Sequence, residues 1–366
     1  MNTSTPIKGR RHQGGLSLVE IMVALALSLL LTLVVGNLFV QNKRSYSFQS
    51  EFGRIQENAR FAVEQMAFDT RMAGYYDCDI SGTKIANVLQ DSSGSPFLFD
   101  VSQATRAYPE GSTEVPASLG VTAGEVLVLN MSDPNGAEYK TTSPGPSPGS
   151  ATINLVDDHD LEKGDIVMIT DCSKYTAIYM NTSTNKQNLN HNDGNEVNGI
   201  QNCTKSLFAL GDYGDCNAGI IAENDLKDYP DATFQDDTLR LISFITYTYY
   251  LAPGSQDASR TSLYRIRSGK DGATEELADG VEDMFFSFAI DTDADSVPDA
   301  YKTTQEMIAD GEDWNDVYGI QINLLFASNG NLLDTDKKYS WKGITKEDRR
   351  LRQVVTSTVG VRNKLN

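Results

Sequence analysis

An α+β fold is predicted by three features of this chain. An N-terminal apolar run is long enough to cross a membrane, a helical apolar stripe continues beyond it, and short alternating segments further on read as strands. The expected arrangement is one long N-terminal helix, membrane-spanning in its lower half, whose upper half packs against an antiparallel β-sheet in a globular domain. Its divisions are a basic leader over 1–15, a spanning helix over 16–42, an amphipathic helix over 43–74 and a β-rich domain over 75–366. With 40% apolar and 22% charged residues, the part outside the helix can bury a core and is not a disordered tail.

The leader carries Lys8, Arg10, Arg11 and His12. Between Glu20 and Lys43 lie 22 residues without a charge, about 33 Å of helix at 1.5 Å per residue, enough for a bilayer core. A secretory signal has a shorter apolar run followed by a small-residue cleavage site; here Gln41-Asn42-Lys43-Arg44 follows instead and the helical pattern goes on. The chain therefore reads as a single-pass membrane protein. Ionisable groups inside spanning helices are costly and usually functional, which singles out Glu20.

Beyond the span Phe48, Phe52, Ile55, Ala59, Ala62 and Met66 recur at spacings of four and three, on one face. The helix is expected to end near Ala73 with Gly74 as its cap. Residues 91–124, rich in Ser, Pro and Gly, read as irregular connection. Strands are expected over 125–130, 151–156, 165–170, 239–251, 262–267, 285–290 and 320–326, with 353–362 as the closing strand. Residues 181–199 are Asn-rich without a period and read as an exposed loop.

Gly15-Leu16-Ser17-Leu18-Val19-Glu20, preceded by basic residues and followed by the apolar run, resembles the cleavage motif of type IV prepilins and type II secretion pseudopilins. One departure is Leu16 where Phe is commoner, a position that needs only a hydrophobic group. The resemblance implies a type IV pilin-like fold, cleavage after Gly15 by a prepilin peptidase on the cytoplasmic side, methylation of the Leu16 amine and polymerisation through the apolar helix. It places the chain in the bacterial inner membrane with a periplasmic globular domain, and then in the pilus. On physical grounds a carboxylate near the membrane interior needs a partner. The Leu16 amine of a neighbouring subunit is the nearest cation that processing creates for Glu20.

Four cysteines beyond a membrane anchor suggest two disulfides, and four allow three connectivities. Cys203 and Cys216 enclose a short segment and form a natural local pair, which leaves Cys78 with Cys172. Ala73-Gly74-Tyr75-Tyr76-Asp77-Cys78, the stretch from Asp165 to Cys172, Val281-Glu282-Asp283-Met284, Asp313-Trp314-Asn315-Asp316-Val317 and the segment 356–363 are similar to landmarks of the minor pilins of type IV pili. That similarity spans almost the whole mature chain. It also favours the Cys78–Cys172 pair and implies a part in priming assembly, with other minor pilins, the major pilin and a tip adhesin as partners. A minor pseudopilin of type II secretion is the alternative, sharing the anchor and a similar fold.

Asp291-Thr292-Asp293-Ala294-Asp295-Ser296-Val297-Pro298-Asp299 sets carboxylates at alternate positions of a loop, a spacing that converges on one hard cation. It resembles dockerin-type and thrombospondin-type calcium loops. The expected ligands are Asp291, Asp293, Asp295, the Val297 carbonyl and Asp299. Two departures are Ser296 at the glycine position and Lys302 at the place of the bidentate Glu, so the expected affinity is weak and the role structural.

A net charge of −19 disfavours nucleic acid as a partner of the globular surface, and positive charge is concentrated in the leader and in 337–362. Outside the leader only His159 and His191 could act as general bases, both in polar stretches, and Asp157-Asp158-His159-Asp160 reads as a charged turn. Walker and His-Glu-x-x-His motifs are absent from the sequence, and 143–149 reads as a Pro/Gly turn. A membrane-tethered enzyme would need a constellation that the chain does not display, and no enzyme is expected.

Overall fold

The computed structural model of the chain describes residues 15, 17–80, 82–91, 103–143, 145, 146, 150–208, 234, 239–268, 274–293, 295 and 297–361. The chain divides into two compact units, one up to Gly53 and one from Arg54. Helix α1 (Leu18–Met72) is followed by β1 (Lys84–Asn87), β2 (Leu89–Asp91), β3 (Thr105–Tyr108), β4 (Ala123–Ser132) and β5 (Glu138–Tyr139). Next come β6 (Thr152–Asn154), β7 (Ile166–Thr170), β8 (Tyr175–Met180), β9 (Asn188–Asn190), β10 (Ile200–Asn202) and β11 (Arg240–Pro253). Then follow β12 (Thr261–Arg267), β13 (Thr274–Asp279), β14 (Val281–Ile290), β15 (Ala300–Thr303), α2 (Thr304–Asp310) and β16 (Val317–Asn331). The chain closes with β17 (Lys337–Trp341), β18 (Ile344–Asp348) and β19 (Arg350–Gly360).

In the first unit every residue over 18–46 is exposed. The two hydroxyls of Ser28 and Thr32 donate to the carbonyls of Ala24 and Ser28 at 2.7 and 2.8 Å. These two hydroxyl hydrogens are thus satisfied inside the helix, as a hydrocarbon environment requires.

In the second unit the expected spine is present. Ile55, Ala59, Ala62, Met66 and Ala67 are buried against β4, β11, β14 and β16, in a core with Leu127, Tyr249, Phe286, Phe288, Ile322 and Leu324. Alanines on the contact face let the helix approach the sheets closely, while Ile55 and Met66 each contribute roughly 1.5–3 kcal/mol of apolar burial. Gly74 ends the helix with φ 73°, a left-handed conformation that glycine adopts at no steric cost. Its N–H reaches the Asn130 carbonyl of β4 at 2.8 Å.

The expectation of one antiparallel sheet is met only in part. The structure has a nine-stranded sheet, along which β1, β8, β7, β11, β12 and β13 are consecutive and β3, β4 and β5 branch off, and a four-stranded sheet in the order β15, β14, β16, β19. One pair, β1 with β8, is parallel. The reason lies in β11: Ile245, Tyr249 and Leu251 face the core with the helix, while Ile242, Phe244 and Tyr250 face a second core that contains Val126, Met168 and Ile178. A strand covered on both faces loses polar alternation, and a second layer becomes necessary. Gly124 sits where β4 meets β14: a Cβ there would lie 3.0 Å from the Met284 backbone.

Residues 181–199, expected as an exposed loop, contain β9 and bury Asn181, Ser183, Leu189 and His191. Within 91–124, expected as irregular connection, β3 pairs with β4.

Candidate functional site

Gly15 is exposed, and a Cβ built on it meets nothing within 4 Å. Leu16 lies outside the described residues. Glu20 stands in the first turn of α1, where its Oε2 accepts the Ser17 N–H at 2.9 Å. The Ser17 hydroxyl accepts the Val19 N–H at 3.2 Å. These two bonds satisfy donors at a helix start, where orphan N–H groups gather and the helix dipole favours negative charge. Ser-x-x-Glu is a recognisable capping pattern, and this second use of Glu20 was legible in the sequence but masked by its position in the cleavage motif.

Near the far end of α1 a buried carboxylate holds the helix to the nine-stranded sheet. Asp69 is 2% exposed; its Oδ2 accepts from the Tyr249 hydroxyl and from Arg265 Nη1, the latter at 2.8 Å, and Oδ1 accepts from Gln65 at 3.3 Å. Arg265 also reaches Glu275 at 2.7 Å and stacks over the Tyr247 ring. Burial, then the neighbouring Asp69 charge, pushes the Tyr249 hydroxyl far above its ordinary range, so it stays a donor. The available signal was Asp69 itself, three residues beyond Met66 on an otherwise apolar face.

The turn that follows α1 is fixed covalently. Cys78 is bonded to Cys172, with Cα atoms 6.0 Å apart. Cys172 itself has φ 55°, within the β7–β8 turn that Asp171 organises. Asp171 Oδ1 accepts the backbone N–H groups of Ser173, Lys174 and Tyr175 at 3.0, 2.7 and 3.0 Å. Cys203 is also disulfide-bonded; Cys216, its expected partner, lies outside the described residues.

The acidic loop follows β14. Asp291, Asp293 and Asp299 each bring one carboxylate oxygen within 4.8 Å of the others, a span that a cation with oxygen ligands at 2.3–2.6 Å can bridge. The donor set, all carboxylate, suits a hard cation such as calcium better than zinc. Asp295 is not in this group; its Oδ1 accepts the Val297 N–H at 2.8 Å and closes a local turn. The Asp295 charge raises the Asp293 carboxyl above its ordinary value, a like-charge effect with Asp299 and Asp291 adding to it. Asp299 is held in place by Thr292, whose hydroxyl reaches it at 2.8 Å. Lys302 turns to Asp310 at 2.7 Å and to Glu312, so the position of the missing bidentate Glu serves an ion-pair network instead.

The two histidines are core residues. His159 Nε2 lies 3.1 Å from the Asn188 carbonyl. His191 is fully buried, and burial brings its pKa down to about 4, so it is neutral at physiological pH.

Residues 10–36 match the sequence model of the prokaryotic N-terminal methylation motif, the class to which the Gly15–Glu20 motif and the apolar helix point. Over residues 248–363 the chain matches the family described as Type IV Pilus-assembly protein W, PilW. That second stretch takes in the whole four-stranded sheet and the acidic loop. The chain is thus similar to PilW-like minor pilins, and the two matches support a pilin or assembly function in a type IV pilus. Both matched families are structural, and neither is a family of enzymes. The methylation motif and the exposed apolar helix fit a membrane-anchored pilin. No curated protein and no solved structure matches the chain.

Proposed function

We propose that the chain is a minor pilin that helps to prime a type IV pilus and sits in its tip complex. The observation that carries this reading is the run over 18–46, exposed throughout, whose part up to residue 36 is matched by the methylation motif. Apolar side chains left in water forgo roughly 1.5–3 kcal/mol each, so the run calls for a bilayer first and for other helices afterwards. Prepilin peptidase cuts after Gly15, the Leu16 amine is methylated, and residues 16–42 hold the chain in the inner membrane with the domain in the periplasm. Glu20 of one subunit pairs with the Leu16 amine of the next, which fixes the stagger between helices. The other minor pilins, the major pilin and a tip adhesin are the partners. The loop from Asp291 to Asp299 takes a structural calcium ion through Asp291, Asp293 and Asp299.

The test is Gly15→Trp. Because a Cβ there meets no atom of the described residues within 4 Å, a failure of cleavage is expected to report the peptidase and not a disturbed fold. Mass spectrometry should find the leader retained in the variant and lost in the parent chain. Normal cutting of the variant, or cutting elsewhere in the parent, refutes the reading. Co-purification with pilus components and not with secretion-system components separates the pilin from a type II pseudopilin.

A further inference from the structure

Strand β19 ends the four-stranded sheet and pairs, among the described residues, with β16 alone. Val361 donates to the Tyr318 carbonyl at 2.8 Å, and the register runs without a shift from Gly360 opposite Gly319 to Gln353 opposite Phe326. In an antiparallel strand the N–H and C=O of one residue point to the same neighbour, and the direction alternates along the chain. Val355, Ser357 and Val359 therefore bond to β16, and the backbone groups of Val354, Thr356, Thr358 and Gly360 point outward from the sheet edge.

Natural edges are blunted by charge, proline, shortness or bulges. β13 carries Glu275, Glu276 and Asp279 and pairs with β12 through a register shift; β15 has four residues and runs into α2. From Gln353 to Val361 the closing edge has neither a charge nor a proline, and Val and Thr dominate it. Such residues favour the extended state. Val354 is 52% exposed, and Thr356 and Thr358 are exposed beside it.

Charge in the sequence around the edge says what it takes. Residues 337–366 hold nine lysines and arginines against two acids, in a chain of net charge −19. Lys337 and Lys346, on the hairpin leading into β19, are exposed and have no ion-pair partner among the described residues, while Arg362 and Lys364 follow the strand in sequence. A second copy paired along this edge would bring one basic C-terminal stretch against another, which is repulsive. The complementary occupant is an acidic one.

We propose that the outer edge of β19 is a strand-addition site for an extended segment of another protein, uncharged at its centre and acidic at its ends. Main-chain bonds supply affinity in this mode of recognition, and the flanking charges set register and choice of partner. The inference concerns the β-rich domain and holds whether or not Gly15 is processed, so its failure leaves the pilin reading intact.

The test uses the full chain in detergent and two labelled peptides, Glu-Asp-Val-Thr-Val-Thr-Val-Glu-Asp and the same centre flanked by lysines, followed by fluorescence anisotropy. The acid-flanked peptide should bind about tenfold tighter or more, and added salt should weaken it. Thr358→Pro removes an outward donor and no bond to β16, a place where an edge tolerates proline, so it should abolish binding with the melting temperature unchanged. N-methylation of alternate residues in the peptide should do the same to the unaltered chain, a result that no misfolding of a variant can imitate. Equal binding of the two peptides, or unchanged binding of the N-methylated peptide, overturns the proposal. So does a dimer of the chain that Thr358→Pro dissociates, because the edge then belongs to a second copy.

Discussion

The carboxylate of Glu20 closes the first turn of its own helix by accepting the backbone N–H of Ser17 at 2.9 Å. One oxygen is committed to the cap, and the charge remains available to a cation from a neighbouring subunit. Glu20→Gln separates the two uses, since an amide oxygen can cap but carries no charge. We expect Glu20→Gln and Glu20→Ala to be cut and inserted normally, and both to lose co-purification with partner pilins. If Glu20→Gln assembles as well as the parent chain, the cap alone matters and the intersubunit pair is wrong.

Asp69 is the most consequential buried charge between α1 and the sheet. Asp69→Ala leaves Arg265 short of one partner and Tyr249 without an acceptor, and removing one member of a buried pair costs about 3–5 kcal/mol. Urea unfolding of the chain in detergent should show that loss. Arg265→Met combined with Asp69→Leu should restore part of it, because apolar replacement of both partners spares the desolvation. A loss below about 1 kcal/mol for Asp69→Ala would mean that water already reaches the pair.

Glu125, 8% exposed, ties three elements together by accepting the Phe286 N–H at 2.9 Å and the Thr304 hydroxyl at 2.6 Å. Burial raises its carboxyl above the ordinary value of 4.5, with the Thr304 and Phe286 bonds pulling it down in part. The folded state therefore holds this proton more tightly than the unfolded state. Stability from this group is fully present below the unfolded pKa and is lost as pH rises through the raised folded one. Glu125→Gln should accordingly melt higher than the parent chain at pH 7, with the difference shrinking as the pH falls toward 4. A variant that melts lower at pH 7 would show that the charged acceptor outweighs its desolvation.

For the acidic loop the geometry divides residues that the sequence treats alike. Millimolar calcium should raise the melting temperature, with a dissociation constant of about 10⁻⁴ to 10⁻³ M. Asp293→Ala and Asp299→Ala should abolish the gain, whereas Asp295→Ala should keep it, because Asp295 stands outside the cluster. Calorimetry without heat, and identical melting in calcium and chelator, would leave the loop a solvated turn.

What could be read from the sequence was whatever depends on one segment at a time. The apolar stripe from Ile55 to Met66, the glycine at position 74 and the strand alternation at Phe286 and Phe288 each carry their own period or turn signal, and the structure has them. The Asn-rich stretch misled because its polarity is used inside the fold. Asn181 Oδ1 accepts the N–H groups of Ser183 and Asn190 at 2.9 and 3.2 Å. Asn202 exchanges two bonds with the Met180 backbone at 2.8 Å each. Side-chain amides that replace ladder bonds let a polar sequence be buried, and no hydrophobic pattern announces it. Asp69 and Glu125 escaped for a related reason, since the sheet partners of Asp69, Tyr249 and Arg265, lie 180 and 196 positions away and those of Glu125 lie 161 and 179 away.

The Cys78–Cys172 bridge bears on how the protein meets a pulling force. Tension that passes the contacts of α1 with the sheets arrives at Cys78, and from there the bridge carries it to the β7–β8 turn. The stretch between the two cysteines, with a separation of 94 positions, is short-circuited. Even with its strands torn open it can add none of the roughly 300 Å that an equal length of free chain would pay out. A chain so tethered gives way by the length of its unbridged segments and no further.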